Sequence, residues 1–340
     1  MQLHTSPVVS AARANWVDAA RGIGIILVVY GHALRGLFPA AAHRPAWAAA
    51  QDAVIYRFHM PLFFILAGLW VWPSLARGRG AFFRNKVVTI LYPYFLWSLI
   101  EGLMELIFAR YANTPIALGD LAWIPIVPIE QFWFLYALFF GQLILLALYP
   151  RRYLLPFAAV VMVVPFGSAS VAEICMAVVY LSAGSLAAAP LKAFAARSPA
   201  IVFGIGASAW IAFAVSLGAS PMAPAWASAL VCALFGSIGT IAIAILLHRA
   251  GWSGLLKVLG RGSMAIYLMH TIASAGARVM LARVGSPLPA GWTLVIITAV
   301  GLAAPMVVWW LAARWRIAQW LGLPSLASPG DAGTQKARRV

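Results

Sequence analysis

Charge is the scarcest property of this chain: only 9% of its 340 residues are charged and only 8 are acidic. Soluble domains carry about 25% charged residues, so a water-soluble fold is excluded. Cysteine is nearly absent as well. Cys175 and Cys232 both sit inside apolar stretches, where a thiol acts as a small hydrophobe, which leaves neither a disulfide frame nor a cysteine metal site. From Met1 to Asn15 there is no basic segment leading into a short apolar run and a small-residue cleavage site. The first apolar run is therefore expected to persist as a helix. No unit of about 20 to 50 residues recurs, which counts against a solenoid and a repeat-built transporter.

Apolar surface is what the chain has in abundance: 64% of its residues are hydrophobic, and the mean hydropathy is +0.91. A bilayer-spanning helix needs about 20 such residues. Ten segments reach or approach that length: 16–38, 54–73, 87–109, 131–149, 153–168, 171–190, 200–218, 224–247, 263–282 and 291–313. The fifth is the shortest and is ended by Pro165, Phe166 and Gly167. The expected fold is all-α, a polytopic membrane protein of about ten transmembrane helices with both termini in the cytoplasm. That topology places 18 of the 24 basic residues inside and 6 outside, namely Arg35, Arg44, Arg57, Arg110, Arg278 and Arg283. Short cytoplasmic loops carry such an excess. Merging the fifth and sixth spans would set Lys192 and Arg197 on the side opposite Arg151 and Arg152, so ten are kept. Residues 1–15 are then a cytoplasmic segment, 16–322 the transmembrane domain and 323–340 a disordered cytoplasmic tail. No soluble appendage is expected, and hence no fused periplasmic hydrolase. The net charge of +16 reads as membrane topology. The basic residues do not cluster into the face that nucleic acid requires, so the partners are membrane lipids and not nucleic acid.

An ionisable side chain inside a bilayer costs about 2.5 to 3.5 kcal/mol on insertion scales, so each one is a functional candidate. The first span, DAARGIGIILVVYGHALR from Asp18, holds the most informative set. Arg21 and His32 are eleven residues apart, which on a helix is about 20° in azimuth and about 16 Å along the axis. They share one face, with Asp18 and Arg35 near the same stripe. Gly22, Gly24 and Gly31 flank it and permit close approach by a helix or a ligand. The geometry suggests a cation at the cytoplasmic mouth joined by a narrow groove to an imidazole beyond the midplane, as a long donor with an anionic head requires. The alternative reading makes Asp18 and Arg21 interfacial anchors and His32 a hydrogen-bond partner of a neighbouring helix.

The stretch WVDAARGIGIILVVYGHALRG from Trp16 resembles the opening of the acyltransferase 3 family of integral-membrane O-acyltransferases, whose signature is an Arg, ten residues, then a His. Further likenesses follow in order: FHMPLFFILAGLW from Phe58, ILYPYFLWSL from Ile90, QFWFLYALFF from Gln131 and LGRGSMAIYLMH from Leu259. The resemblance implies ten transmembrane helices in a bacterial inner membrane. It also implies a cytoplasmic acyl-CoA donor, acetyl-CoA in the usual case, and transfer to a hydroxyl of an extracytoplasmic or lipid-linked glycan such as exopolysaccharide or O-antigen. His32 is then the catalytic residue, as general base or transient acyl carrier, and Arg21 binds the CoA portion or orients the site. The chain departs from the family at Thr89, where an Arg commonly stands four residues before the Pro of the third span. It departs again at Ala67, where a Ser commonly precedes Gly68.

The chemistry has its own requirements. A sugar hydroxyl is a poor nucleophile, so attack on a thioester needs a base of pKa near 7, which an imidazole supplies, and a donor for the developing oxyanion. Glu101 and Glu105, one turn apart in the third span, repel unless one is protonated or paired. They orient the His, contact acceptor hydroxyls, or form a structural pair with a nearby Arg or hydroxyl. His59 and His270 read as hydrogen-bonded interhelical residues, since one base suffices. No ligand spacing supports a metal on His32, His59 and His270, and none is expected. Glu130 and Trp133 stand near the outer face as sugar contacts or as part of an aromatic belt, with His59 as a further substrate contact. Arg84 and Lys86 follow Phe82 and Phe83, which are placed to cover an adenine while the cations hold CoA phosphates. Arg151, Arg152, Lys257 and Arg261 belong to the same inner set. A transporter or flippase for a lipid-linked sugar, or a non-catalytic partner in polysaccharide export, is the competing function.

Overall fold

The computed structural model describes residues 15–40, 44–109, 116–148, 169–218, 225–285 and 288–325. Among these residues every regular element is a helix. In chain order they are α1 (Asn15–Leu37), α2 (Ala46–Tyr56), α3 (His59–Gly68), α4 (Val71–Leu75), α5 (Arg79–Lys86), α6 (Tyr92–Ile107), α7 (Trp133–Leu148) and α8 (Ala169–Leu186). They continue as α9 (Ala188–Ala196), α10 (Pro199–Gly218), α11 (Ala225–Arg249), α12 (Gly254–Arg261), α13 (Ser263–Arg283) and α14 (Ala290–Arg314).

Among the described residues eight helices, counting α2–α4 and α5–α6 as continuous spans, are long and apolar enough to cross a membrane, and the bent pair α8–α9 makes a ninth. Nine of the ten apolar segments thus coincide with helical spans. The tenth, 153–168, lies outside the described residues, as do Arg151 and Arg152. The chain is a multi-pass membrane protein. On α10, Phe203, Ile211 and Val215 are each about two-thirds exposed, an apolar surface that only lipid can accommodate.

Proline sets the breaks. A prolyl ring collides with the carbonyl four residues earlier and removes one helical N–H. Pro61 therefore breaks the second span at Arg57–Phe58, Pro73 breaks it again at Leu69–Trp70, and Pro190 ends α8 at Leu186 with a 52° bend. Ahead of Pro93, residues Val87–Leu91 widen into a π-turn that joins α5 to α6 without interruption. The third span accordingly begins at Arg79, and Arg84 and Lys86 stand on helix rather than in a connecting loop.

The helix carrying the Arg and His is the hub. α1 begins with Asp18 and ends with Arg35, charges that complement the helix dipole, and it packs against α3, α11, α12, α13 and α14. Its glycines are occupied by neighbours. A Cβ on Gly22 would overlap the Leu256 carbonyl of α12, and one on Gly260 would overlap the carbonyl of Asp18. At Gly24 the neighbour is the Phe63 ring, and at Gly31 it is the Tyr56 ring. The missing side chains serve backbone-to-backbone approach. A second such crossing joins α3 to α8, where Gly68 and Gly184 each lie against the other helix's main chain.

Candidate active site

α1 and α13 run in the same direction, because Asp18 meets Arg261 at one end of the bundle and Gly36 meets Arg278 at the other, and α6 follows them, since Lys86 ahead of it lies near Arg21 and Glu101 bonds Thr271. Residues one to two turns apart on these helices therefore form layers. A cavity of about 650 Å³ opens at the Arg35 end. Its deeper layer is His32 of α1, Glu101 of α6 and Thr271 of α13, with Gln131 from the turn before α7. Nearer the mouth stand Arg35, Arg44, Glu105, Glu130, Arg278 and Arg283.

The deep carboxylate is held from two sides. Glu101 Oε2 accepts from Gln131 Nε2 at 2.6 Å and from Thr271 Oγ1 at 2.9 Å. The Gln131 backbone carbonyl accepts in turn from the Tyr267 hydroxyl. These bonds tie α6, α7 and α13 together and fix one carboxylate oxygen. Glu105 behaves differently: its Oε2 is buried and finds no hydrogen-bond partner among the described residues. The two glutamates therefore differ: one is fixed by neighbouring helices, and the other keeps an oxygen unpaired among the described residues. Glu130 lines the cavity with a left-handed backbone, φ 43°, a conformation that costs a non-glycine residue about 1 kcal/mol or more.

His32 is partly exposed, and its exposed part faces the cavity. The His270 ring stands edge-on to it, centroids 4.9 Å apart at 76°, and Tyr56 lies 6.5 Å away on another side. The Arg35 guanidinium sits 3.3 Å over the Tyr56 ring. It is held there by Asp52, which also binds Arg44 at 2.8 Å. Asp52, one of the eight acidic residues, thus organises the wall beside His32. The side chains of Arg44 and Asp52 are only 11% and 12% exposed, and unpairing charges so buried is costly. Asp52→Ala is expected to cost about 3 kcal/mol of stability, read as a lower melting temperature in detergent; an unchanged melting curve would show that the cluster is solvated.

Several expectations need correction. The groove expected between Arg21 and His32 is filled at Gly22, Gly24 and Gly31 as described above, and the cavity reaches His32 from the Arg35 end; Arg21 is not on its lining. Arg21 instead lies within electrostatic reach of Lys86, as does Arg77. Phe82 is 2% exposed and belongs to the core, so it is unable to cover an adenine; Lys86 sits 5.1 Å over its ring, and Phe83 and Arg84 are exposed. Arg261 is committed to the fully buried Asp18 at 3.3 Å. His59 is buried off the cavity, its Nδ1 bonded to the Ile55 carbonyl at 2.7 Å. That carbonyl belongs to α2, the helix before its own, and Nδ1 of His270 bonds carbonyls of α13. Trp133 packs near Phe64 and is likewise off the lining. Among the described residues no three of His, Cys, Asp and Glu gather as a metal site would require.

The sequence reading missed Gln131, Thr271 and Asp52 as parts of the site. Each carries a weak signal: an amide opening an aromatic run, a hydroxyl directly after His270, and a carboxylate in a chain with very few.

Fold and site together define a multi-pass membrane protein whose cavity joins an imidazole to carboxylates at the end of its central helix. A family model described as an acyltransferase domain matches residues 14–314. The chain belongs to that family. It is 32% identical over 127 residues to nodulation protein NolL of Sinorhizobium fredii (strain NBRC 101917 / NGR234), a match covering 35% of this chain and 32% of that protein. The similarity thus spans about a third of the relative's length. No solved structure matches the chain significantly.

Proposed function

We propose that the protein moves an acyl group, acetyl in the simplest case, from cytoplasmic acyl-CoA to a hydroxyl of an extracytoplasmic or lipid-linked glycan, at a bacterial inner membrane. One observation carries this reading: His32 borders a cavity also lined by Glu101, Glu105, Glu130 and Thr271, side chains able to accept from hydroxyl groups. In the step envisaged, His32 takes the proton of the glycan hydroxyl as its oxygen attacks the thioester carbonyl. The carbon–sulfur bond then breaks, and the imidazolium returns the proton to the departing CoA thiolate. Arg21, Lys86 and Arg77 form the cationic end suited to the donor's phosphates, with exposed Arg84 beside them.

The decisive measurement is transfer of labelled acetyl from acetyl-CoA to glycan by the purified protein in lipid, with mass spectrometry of envelope polysaccharide from cells with and without the gene. Sugar movement independent of any thioester would instead establish the flippase reading. Within the acyltransferase reading, Glu105→Gln is expected to raise the KM for the glycan about tenfold, the worth of one hydrogen bond to a charged group, with a smaller effect on kcat. An unchanged KM would remove Glu105 from the acceptor site.

A further inference from the structure

His270 is fully buried, and its two ring nitrogens are not equivalent. Nδ1 lies 2.8 Å from the Tyr267 carbonyl and 3.2 Å from that of Ile266. A carbonyl oxygen only accepts, so Nδ1 carries the proton. In the neutral ring this makes Nε2 an acceptor. That acceptor is buried and has no hydrogen-bond partner among the described residues. Buried polar groups are nearly always satisfied, which makes the orphan informative. The polar ring beside it is His32, edge-on at 4.9 Å between centroids and not hydrogen-bonded to it in this arrangement.

We infer that His270 is the positioning residue of His32: when the partly exposed His32 ring turns an N–H onto it, Nε2 accepts that hydrogen bond, fixing the tautomer of His32 and leaving its other nitrogen unprotonated toward the cavity. This deepens the acyl-transfer reading and rests on it. The logic is that of any base oriented by a third group. The backbone of α13 supplies the anchor, since the carbonyls of Ile266 and Tyr267 hold His270 and His270 holds His32. No net charge is added, so the imidazolium formed during transfer is stabilised by an acceptor rather than by an anion.

The test compares His270→Phe, which keeps the volume and loses the acceptor, with His270→Gln, whose amide places a polar atom near the position of Nε2. Acyl transfer is measured for both in lipid, beside His32→Ala and wild type. H270F is expected to lower kcat about 100-fold with the KM for acetyl-CoA unchanged, while H270Q recovers to within about tenfold of wild type. On the His32→Ala background, H270F should change the residual rate less than twofold. Should H270F fail to fold, His270→Leu takes its place in the same comparison. H270F at full kcat, or equal losses in H270F and H270Q with wild-type melting curves, overturns the positioning role. Wild-type protein without any thioester-dependent transfer overturns the reaction itself, so the two failures are distinguishable.

Discussion

His32→Ala is expected to lower acyl transfer about 1,000-fold without unfolding the protein. The magnitude follows from the role: a positioned general base contributes about 10²- to 10⁴-fold, and among the described residues no other imidazole lines the cavity. The absence of a stability effect follows from burial. His32 is partly exposed to the cavity while the residues around it on α1, Val28, Val29, Ala33 and Leu34, are buried at 1% or less. Truncation therefore enlarges a space that is already open. The KM for acetyl-CoA should hold, since the cations assigned to the donor lie at the other end of the helix. Transfer within tenfold of wild type would show that the base is elsewhere, even with the family membership unchanged.

Gly22→Val is the substitution expected to damage the fold most. The added Cβ would occupy the place of the Leu256 carbonyl, and the opposing glycine, Gly260, is in the same position against the Asp18 carbonyl. Neither obstacle is a side chain that turns aside, so relief requires α1 and α12 to separate. That separation also strains the bond between buried Asp18 and Arg261. Overpacking in a core costs about 1 to 3 kcal/mol and more when backbone must move; about 3 kcal/mol or above is expected here, seen as poor yield and a melting temperature lower by several degrees. Gly80→Ala is the control. Nothing lies within 4 Å of its added Cβ, and alanine is the better helix former. Equal melting of the two variants would contradict the close crossing.

The same two positions show what was readable in advance. His32 and Arg21 stood out because a titratable group in an apolar run carries a cost that neighbouring sequence alone reveals. Gly22 and Gly24 announced a close approach but not by what: the sequence left helix and ligand open, and the structure filled these places with Leu256 and Phe63. Glu101 and Glu105 looked alike as two carboxylates a turn apart. They differ because Thr271 and Gln131, far along the chain, reach only one of them. His270 was visible as a histidine, while its proximity to His32 was not, since 238 positions separate them in the sequence.

Composition and local pattern thus determined the membrane class and nine of the helical spans, because lipid solvation acts over one helix at a time; the breaks at Pro61, Pro73 and Pro190 are as local in cause, through prolyl sterics, but became visible only in the structure. The family likeness in the first span was equally local. Tertiary structure alone decided that His32 meets His270, that Asp52 clamps Arg35 and Arg44, that Asp18 binds Arg261 and that the cavity opens at the Arg35 end. Those outcomes depend on how helices distant in sequence rotate and cross, and that is set by the summed packing of their faces rather than by any one segment.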